Sequence, residues 1–326
     1  MLDFYSTNSL SWEQLEYEPN EPYNLHYGLI HVGLSTLIDL TKDKLPSIKD
    51  GNVPKKYELC KEGDIAFADA SEDTNEVAKV VEFYNLGDKK VVCGLHTIHG
   101  RNNNGQTAKG FLGYCFSSTI FHNQIRRIAQ GTKIYSISTK NFSEIFVGLP
   151  SRSEQQKIAT LLRLIDERIA TQNKIIEKLQ SLIKGIVDEL MTVLLKGKLY
   201  PFSSFYIKAG EGGTPTTSVN EYYLGGTIPF IKIEDLSCKY LTSNKDFITE
   251  LGMQKSSAWL IPSHSVIYSN GATIGAISIN EYPICTKQGI LGIVPNTNIN
   301  VEYLYLLMSS SYFSKEVNRI VTEGTT

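Results

Sequence analysis

The chain has 326 residues, 41% hydrophobic and 20% charged, which excludes a disordered polymer and leaves room for two ordinary domains. No apolar run approaches the roughly 18 residues that span a bilayer, and "MLDFYSTNSLSW" lacks the basic and apolar parts of a signal peptide, so the protein reads as cytoplasmic. A net charge of −2 and a pI near 6.3 count against a free-standing nucleic-acid binder, unless the cations gather on one face or a partner supplies more.

Residues 1–150 are read as the first domain. Short β-branched and aromatic runs such as "KVVEFYNLGDKKVV" are broken by Gly, Asn, Pro and Asp, the pattern of strands and turns. His26 and His31 suit structural or DNA-facing roles. Asp64, Asp69, Glu72 and Asp73 are acidic enough to suggest a metal-dependent nuclease. They lack the trailing lysine of an E-x-K arrangement, and their spacing suits loop carboxylates better. His96 and His99 stand three apart on a strand and turn with no third ligand nearby, so no metal site is expected. The cysteines (Cys60, Cys93, Cys115, Cys238, Cys285) form no C-x-x-C pair and read as reduced buried thiols.

Cations of the first domain cluster at Arg101, Lys109, Arg126, Arg127, Lys133 and Lys140. Arg126 and Arg127 fall on a predicted helix at 117–130, where phosphate contact and a solvated face are even alternatives. The polar loop "HGRNNNGQTAKG" suits either entry into a DNA groove or an ordinary hairpin tip.

A single long helix follows, over 151–198. One apolar row is Ile158, Ile165, Gln172, Leu179, Ile186 and Val193; the other is Leu162, Ile169, Ile176, Ile183 and Leu190. The steps alternate three and four residues, the coiled-coil period, and the rod is roughly 60 Å long at about 1.5 Å per residue. Pro150 precedes it, and Ser153 with Gln156 fits a capping box. Gln172 is the one polar residue in the seam, either a register device or a tolerated defect. A seam of this length needs a partner helix.

Residues 199–326 are read as the second domain, again of short strands ("SVIYSNGATIGAISI", "GILGIVPN") and a late helix at 301–321. "GEGGTPTTS" is a flexible, hydroxyl-rich loop with Thr214 and Thr216. It is no phosphate-cradling P-loop, because no Gly-Lys-Ser/Thr ending follows. Asn270, Thr273, Lys287 and Gln288 fall on loops, where base-reading side chains usually sit. Asn and Gln suit adenine, and Lys suits guanine or phosphate.

The two flanks repeat one another. Phe121 falls on Phe313, Ile125 on Val317, Arg127 on Arg319 and Ile128 on Ile320, all 192 residues apart, and the same offset carries Cys93 onto Cys285 and Ile98 onto Ile290. With one inserted residue, Gly131-Thr132 meets Gly324-Thr325. "CKEGDIAFADAS" also matches "IPSHSVIYSNGA" in pattern. This is a domain-sized internal repeat. The expected fold is α+β: two β-rich target-recognition domains joined by a long coiled-coil spacer helix. A second rod, the mate of the first, would follow Thr326.

With these features the chain resembles the specificity subunit of type I restriction-modification systems. The resemblance rests on Pro150, Glu154, Gln155, Lys157, Ile158, Ala159, Leu162, Ile165, Asp166 and Ile169 at the start of the rod. It rests also on "GGTPTTSVNEYYLGGTIPFIKIEDL" and "TKQGI" in the second flank. It implies that each domain reads half of a bipartite double-stranded DNA target; the residues that their own chemistry offers for the contact are Arg101, Lys109, Arg126, Arg127, Thr214, Thr216, Asn270, Thr273, Lys287, Gln288 and Arg319. It implies that paired helices set the half-site spacing and dock methyltransferase subunits, which bind S-adenosylmethionine, and that a restriction subunit completes the complex. The chain itself would perform no chemistry and hold no cofactor or metal. Without an intrachain mate, the rod is expected to pair in trans or self-associate. The competing reading is a coiled-coil scaffold whose β-rich domains bind protein.

Overall fold

β-branched and aromatic runs become strands wherever the pleat can send alternate side chains into two different layers. The computed structural model describes residues 2–271 and 273–323. They form two units, Met1–Asn173 and Lys174–Thr326, so the long helix is shared between them.

The first unit begins with strands Asp3–Tyr5 (β1), Leu15–Glu16 (β2), Tyr23–Leu25 (β3), Leu37–Asp39 (β4), Ser47–Ile48 (β5) and Ile65–Ala68 (β6). Ala70–Ser71 (β7), Val80–Asn85 (β8), Val91–Cys93 (β9), Thr97–Arg101 (β10) and Tyr135–Ser136 (β11) follow. Its helices are Tyr27–His31 (α1), Phe111–Phe116 (α2) and Thr119–Ile128 (α3). The main sheet runs β1-β10-β6-β8-β4, antiparallel except where β4 joins β8. A smaller sheet runs β2-β5-β3-β9, with β9 parallel to β3. Alternation along β6 divides the core. Ile65 and Phe67 face Phe111, Phe116, Phe121 and Ile125 of the helices, while Ala66 and Ala68 share a second cluster with Leu25, Cys60, Phe83 and Cys93.

The rod is one helix, Arg152–Leu194 (α4), of 43 residues. Its start differs from the expected cap: Ser151, not Ser153, precedes the first helical residue. Ser151 N–H donates to Glu154 Oε2 at 3.0 Å and Glu154 N–H to Ser151 Oγ at 3.3 Å. Gln155 is buried. It accepts from Ala108 N–H at 2.9 Å and donates to the Gln106 and Pro150 carbonyls. Ala159 is buried beside it, and Asp166 accepts from the Tyr114 hydroxyl at 2.7 Å. Val187 and Met191 are buried in the second unit, where Asp188 accepts from Ser311 N–H at 2.8 Å. Gln155 continues the Leu162 row by one heptad, Ala159, Val187 and Met191 lie off both rows, and from Ile165 to Leu190 the seam itself stays open. Ile169 is 54% exposed and Ile176 50%.

The second unit has strands Tyr206–Glu211 (β12), Ile228–Ile231 (β13), Tyr240–Leu241 (β14), Asp246–Ile248 (β15), Val266–Asn270 (β16), Ile274–Asn280 (β17), Cys285–Thr286 (β18) and Ile290–Pro295 (β19). Its helices are Glu250–Gln254 (α5), Val301–Ser309 (α6) and Ser311–Glu323 (α7). The main sheet runs β12-β19-β16-β17-β14, with only β14 and β17 parallel, and β18 lies parallel to β13 in the smaller sheet. The main sheet thus repeats the first unit's order and sense, while the smaller sheet, β15-β13-β18, lacks a counterpart of β2.

The helix caps repeat as well. Ser118 Oγ accepts from Phe121 N–H at 3.3 Å, and Ser310 Oγ from Phe313 N–H at 3.2 Å. One alignment needs correction. Ile98 pairs with Phe67 and Leu291 with Tyr268, all four on the helix side, so the match of "CKEGDIAFADAS" to "IPSHSVIYSNGA" holds and the offset at β18 and β19 is 193: Ile98 falls on Leu291 rather than Ile290, and Cys93 on Thr286 rather than Cys285. Sheet pairing, unlike a pattern of small and apolar residues, resolves a slip of one. Gly324 and Thr325 lie outside the described residues, as does the Ile320 side chain. No helix among the described residues is long and apolar enough to cross a membrane.

Candidate nucleic-acid interface

Antiparallel pairing sends three connections of the second unit to one end of its main sheet: the loop after β12, the tip between β16 and β17, and the turn from β18 to β19. Backbone bonds tie them together. Gln288 N–H donates to Thr214 Oγ1 at 3.3 Å, Gly289 N–H to Glu211 Oε1 at 2.6 Å, and Asn270 N–H to the Gly289 carbonyl at 3.0 Å. Thr214, Asn270, Thr273, Lys287 and Gln288 are thereby gathered, with Thr216 on the same loop. All but the half-buried Thr214 are exposed.

The glycine loop is clamped rather than flexible. A Cβ on Gly212 would stand 2.1 Å from the Thr286 carbonyl oxygen, and one on Gly213 would stand 2.2 Å from Ser257 Oγ and 2.5 Å from Ala258 N. The glycines let the backbone pass against its neighbours and hold the hydroxyls at the surface.

The corresponding end of the first unit carries different chemistry. There the loop after β1, the end of β6 and the β9–β10 turn meet around a cavity of about 420 Å³, lined by Ser6, Asn8, Lys56, Tyr57, Asp69 and His96 among others. His96 Nδ1 lies 3.1 Å from Asp69 Oδ1, and Asn8 Nδ2 donates to Asn24 Oδ1 at 2.7 Å. Tyr27 packs edge-on to His96, with centroids 5.3 Å apart, and Trp12 packs on His26 at 4.4 Å. His26 caps α1 through Gly28 N–H, and burial, with His96 nearby, lowers its pKa.

The sequence matches the family described as "Type I restriction modification DNA specificity domain" twice, over residues 80–181 and 206–326. The chain belongs to this family. Among curated relatives, the specificity subunit of type I restriction enzyme MjaIX from Methanocaldococcus jannaschii is 32% identical over 112 residues, which is 33% of this chain and 26% of the relative. The HindI specificity subunit of Haemophilus influenzae is 33% identical over 115 residues, 35% of this chain and 25% of the relative. These matches span about a quarter of each relative's length. A solved S subunit of a type I restriction-modification system from M. genitalium shares the fold, with a TM-score of 0.54 over 99% of this chain and 77% of that one at 17% identity.

In this specificity-domain protein the other expected contacts scatter. Arg101 is withdrawn as a DNA contact because it is 7% exposed and fully engaged inside the first unit. Its Nε donates to Asp64 Oδ1 at 2.8 Å and its Nη2 to Asp64 Oδ2 at 2.8 Å, and Nη1 meets Glu58 at 2.7 Å. Burial would raise the Asp64 pKa, but hydrogen bonds from His99 and Arg101 outweigh it and hold the carboxyl below its ordinary value. Asp64 is therefore a buried ion-pair partner, not a loop carboxylate. Lys109 is paired with Glu62 at 2.7 Å beside the Tyr84 ring. Arg126 donates to Asn75 Oδ1 at 2.9 Å at the reading end, and Arg127 is exposed on α3. Arg319 is exposed on α7 and meets Glu316 at 3.0 Å.

The residues that meet at this end of the first unit, His96 with Asp69 and Asn8, were not singled out from the sequence as DNA contacts. The 192-residue offset was the available signal, since it places Leu95-His96 on Lys287-Gln288.

Proposed function

We propose that this chain is the DNA-recognition subunit of a type I restriction-modification complex, each unit reading one half of a bipartite double-stranded target. One observation carries the reading: a single strand order occurs twice, and the same end of each sheet bears polar loops of different chemistry. A two-part target needs that arrangement.

In the second unit, Asn270 and Gln288 suit adenine, and Lys287 suits guanine or phosphate. Thr214, Thr216 and Thr273 supply hydroxyls to either. In the first, Asp69 suits the cytosine amino group, with His96 beside it. Arg126, Arg127 and Arg319 meet phosphates, which position the protein without specifying sequence, whereas Lys109, beside Glu62 and Tyr84, lies at the other end of the sheet. The exposed seam of α4 takes a helix of like heptad pattern, and the rod docks methyltransferase subunits that bring S-adenosylmethionine; a restriction subunit joins that assembly. The chain contributes recognition and its partners the chemistry. The charge of −2 fits an assembly in which the partners supply part of the cationic surface.

The test reconstitutes the full chain with its methyltransferase subunits and sequences the methylation of a random DNA library. Lys287→Ala with Gln288→Ala relaxes one half of the motif by about five- to hundredfold per lost contact, and Asp69→Ala with His96→Ala relaxes the other. A motif unchanged in both halves by both pairs, or no sequence preference at all, overturns the proposal.

A further inference from the structure

Between the two sheets of the first unit, beneath the β9–β10 turn, the core is not purely apolar. Cys60 and Cys93 are both buried and their sulfurs are 3.6 Å apart. His99 on β10 is fully buried, and one of its ring nitrogens lies within 4.8 Å of both sulfurs. Nε2 of that ring is held by Asp64 Oδ2 at 2.7 Å, and Nδ1 is buried with no hydrogen-bond partner. A buried nitrogen left unmet is costly, and its presence in a native core calls for an explanation.

We propose that Cys60, Cys93 and His99 form a buried site for one Zn²⁺ ion. Zinc–sulfur bonds of about 2.3 Å at the tetrahedral angle put two sulfurs about 3.8 Å apart, whereas a trigonal ion asks for about 4.0 Å. The observed 3.6 Å is nearer the tetrahedral value. With a zinc–nitrogen bond of about 2.0–2.1 Å, the imidazole nitrogen belongs about 3.6 Å from each sulfur, inside the 4.8 Å within which the three ligand atoms lie.

The surroundings are those of a ligating histidine. A carboxylate on the far ring nitrogen fixes the tautomer and raises ligand basicity. Asp64 fills that place and is itself held by Arg101 and by Lys61 N–H at 2.8 Å. Charges balance without help from solvent: two thiolates neutralise Zn²⁺, and Arg101 offsets Asp64. Zinc is ligated by thiolate, so each of the two thiols gives up its proton on binding, two protons for each Zn²⁺ bound.

No fourth His, Cys, Asp or Glu joins the group among the described residues, which leaves the last vertex to water or a backbone carbonyl. The cavity of about 420 Å³ at the reading end is lined by Cys93 and provides the route in. In the second unit Ile261, Thr286 and Gly292 stand at the places of Cys60, Cys93 and His99, so there is one site per chain. The ion would clip β9, β10 and the segment before β6 together under the turn that carries His96. The arrangement was hidden from the sequence because Cys60, Cys93 and His99 converge only through the pairing of separate strands.

The test uses the full chain, purified under reductant, loaded with Zn²⁺ and dialysed against metal-free buffer. One zinc per chain is expected by elemental analysis. Cys93→Ser and His99→Gln lose it, and Cys238→Ser, at an exposed thiol, keeps it. In weak buffer the wild-type chain releases two protons per Zn²⁺, and its Co²⁺ form shows sulfur-to-metal charge transfer, readouts that stand even if a variant fails to fold. Failure of the reduced wild-type chain to retain zinc, retention unaffected by Cys93→Ser and His99→Gln, or loss in Cys238→Ser overturns the proposal.

Discussion

Glu82 gives a stability prediction that can be worked through from the structure. It sits on β8, buried, with Oε1 accepting from Gly110 N–H and Oε2 from Gly113 N–H at 2.8 Å. It thus fastens the start of α2 next to Ala108, which Gln155 of α4 holds. Burial raises its pKa from 4.5 to about 7, more than the backbone hydrogen bonds lower it. The carboxyl is then protonated more readily in the folded state than in the unfolded one. Its contribution is full below about pH 4.5, falls as pH rises, and is gone above about 7, since the unfolded chain ionises first. With those two values the loss between pH 5 and pH 8 is about 2.5 kcal/mol.

Glu82→Gln cannot titrate. It turns one amide N–H₂ against a backbone donor, at about 1–3 kcal/mol whatever the pH. The stability gap between the two proteins should therefore shift by about 2.5 kcal/mol in the variant's favour from pH 5 to pH 8. His26 and His122, whose pKa values burial lowers, titrate in both proteins and cancel in the difference. The chain has two tryptophans, Trp12 in the first unit and Trp259 in the second. Urea unfolding followed by Trp12 fluorescence in a Trp259→Phe background reads the first unit alone. A gap constant to within about 0.5 kcal/mol across that range would refute the assignment of a raised carboxyl at Glu82.

Three further outcomes are expected. Ile169→Asp with Ile176→Asp abolishes helix pairing in sedimentation at tens of micromolar while leaving the unfolding of each unit within about 0.5 kcal/mol, because both side chains are already half in solvent. Arg101→Met destabilises the first unit by about 3–5 kcal/mol in the Trp12 assay by stranding the Asp64 carboxylate; a residue whose role was phosphate contact would instead change the salt dependence of DNA binding and spare stability. Gly213→Ala forces the loop away from Ser257 and Ala258, lowers the stability of the second unit by about 1–3 kcal/mol in Trp259-monitored unfolding, and degrades methylation specificity in one half of the target.

The rod and the repeat were legible in the sequence because both are periodic. Ile158 to Leu190 keep the heptad over the length of α4, and the offset of 192 carries one Ser-capped helix onto the other. The positions of Lys287 and Gln288 between strands were legible because Gly and β-branched residues mark those strands clearly, while Asn270, expected on a loop, is the last residue of β16. Arg101 was misplaced because charge alone does not tell a phosphate contact from a buried ion pair; its partners Asp64 and Glu58 lie 37 and 43 residues earlier and meet it only through the β10–β6 pairing. The capping serine was missed by two positions because Ser151 and Ser153 both have a suitable residue three ahead, and only the chain's path decides between them.

The duplicated strand order carries a hazard during synthesis. In each unit the first strand is an edge strand that waits for a partner made much later: β1 for β10, and β12 for β19. Two unfinished sheets of one topology in one polypeptide invite β1 to close on β19, or β12 on β10, the misassembly typical of tandem repeats. Here the mates differ. Asp3 of β1 lies opposite Arg101, whereas Glu211 of β12 meets Leu291. Divergence between the halves, read above as two targets, would then serve a second purpose: each sheet accepts only its own last strand.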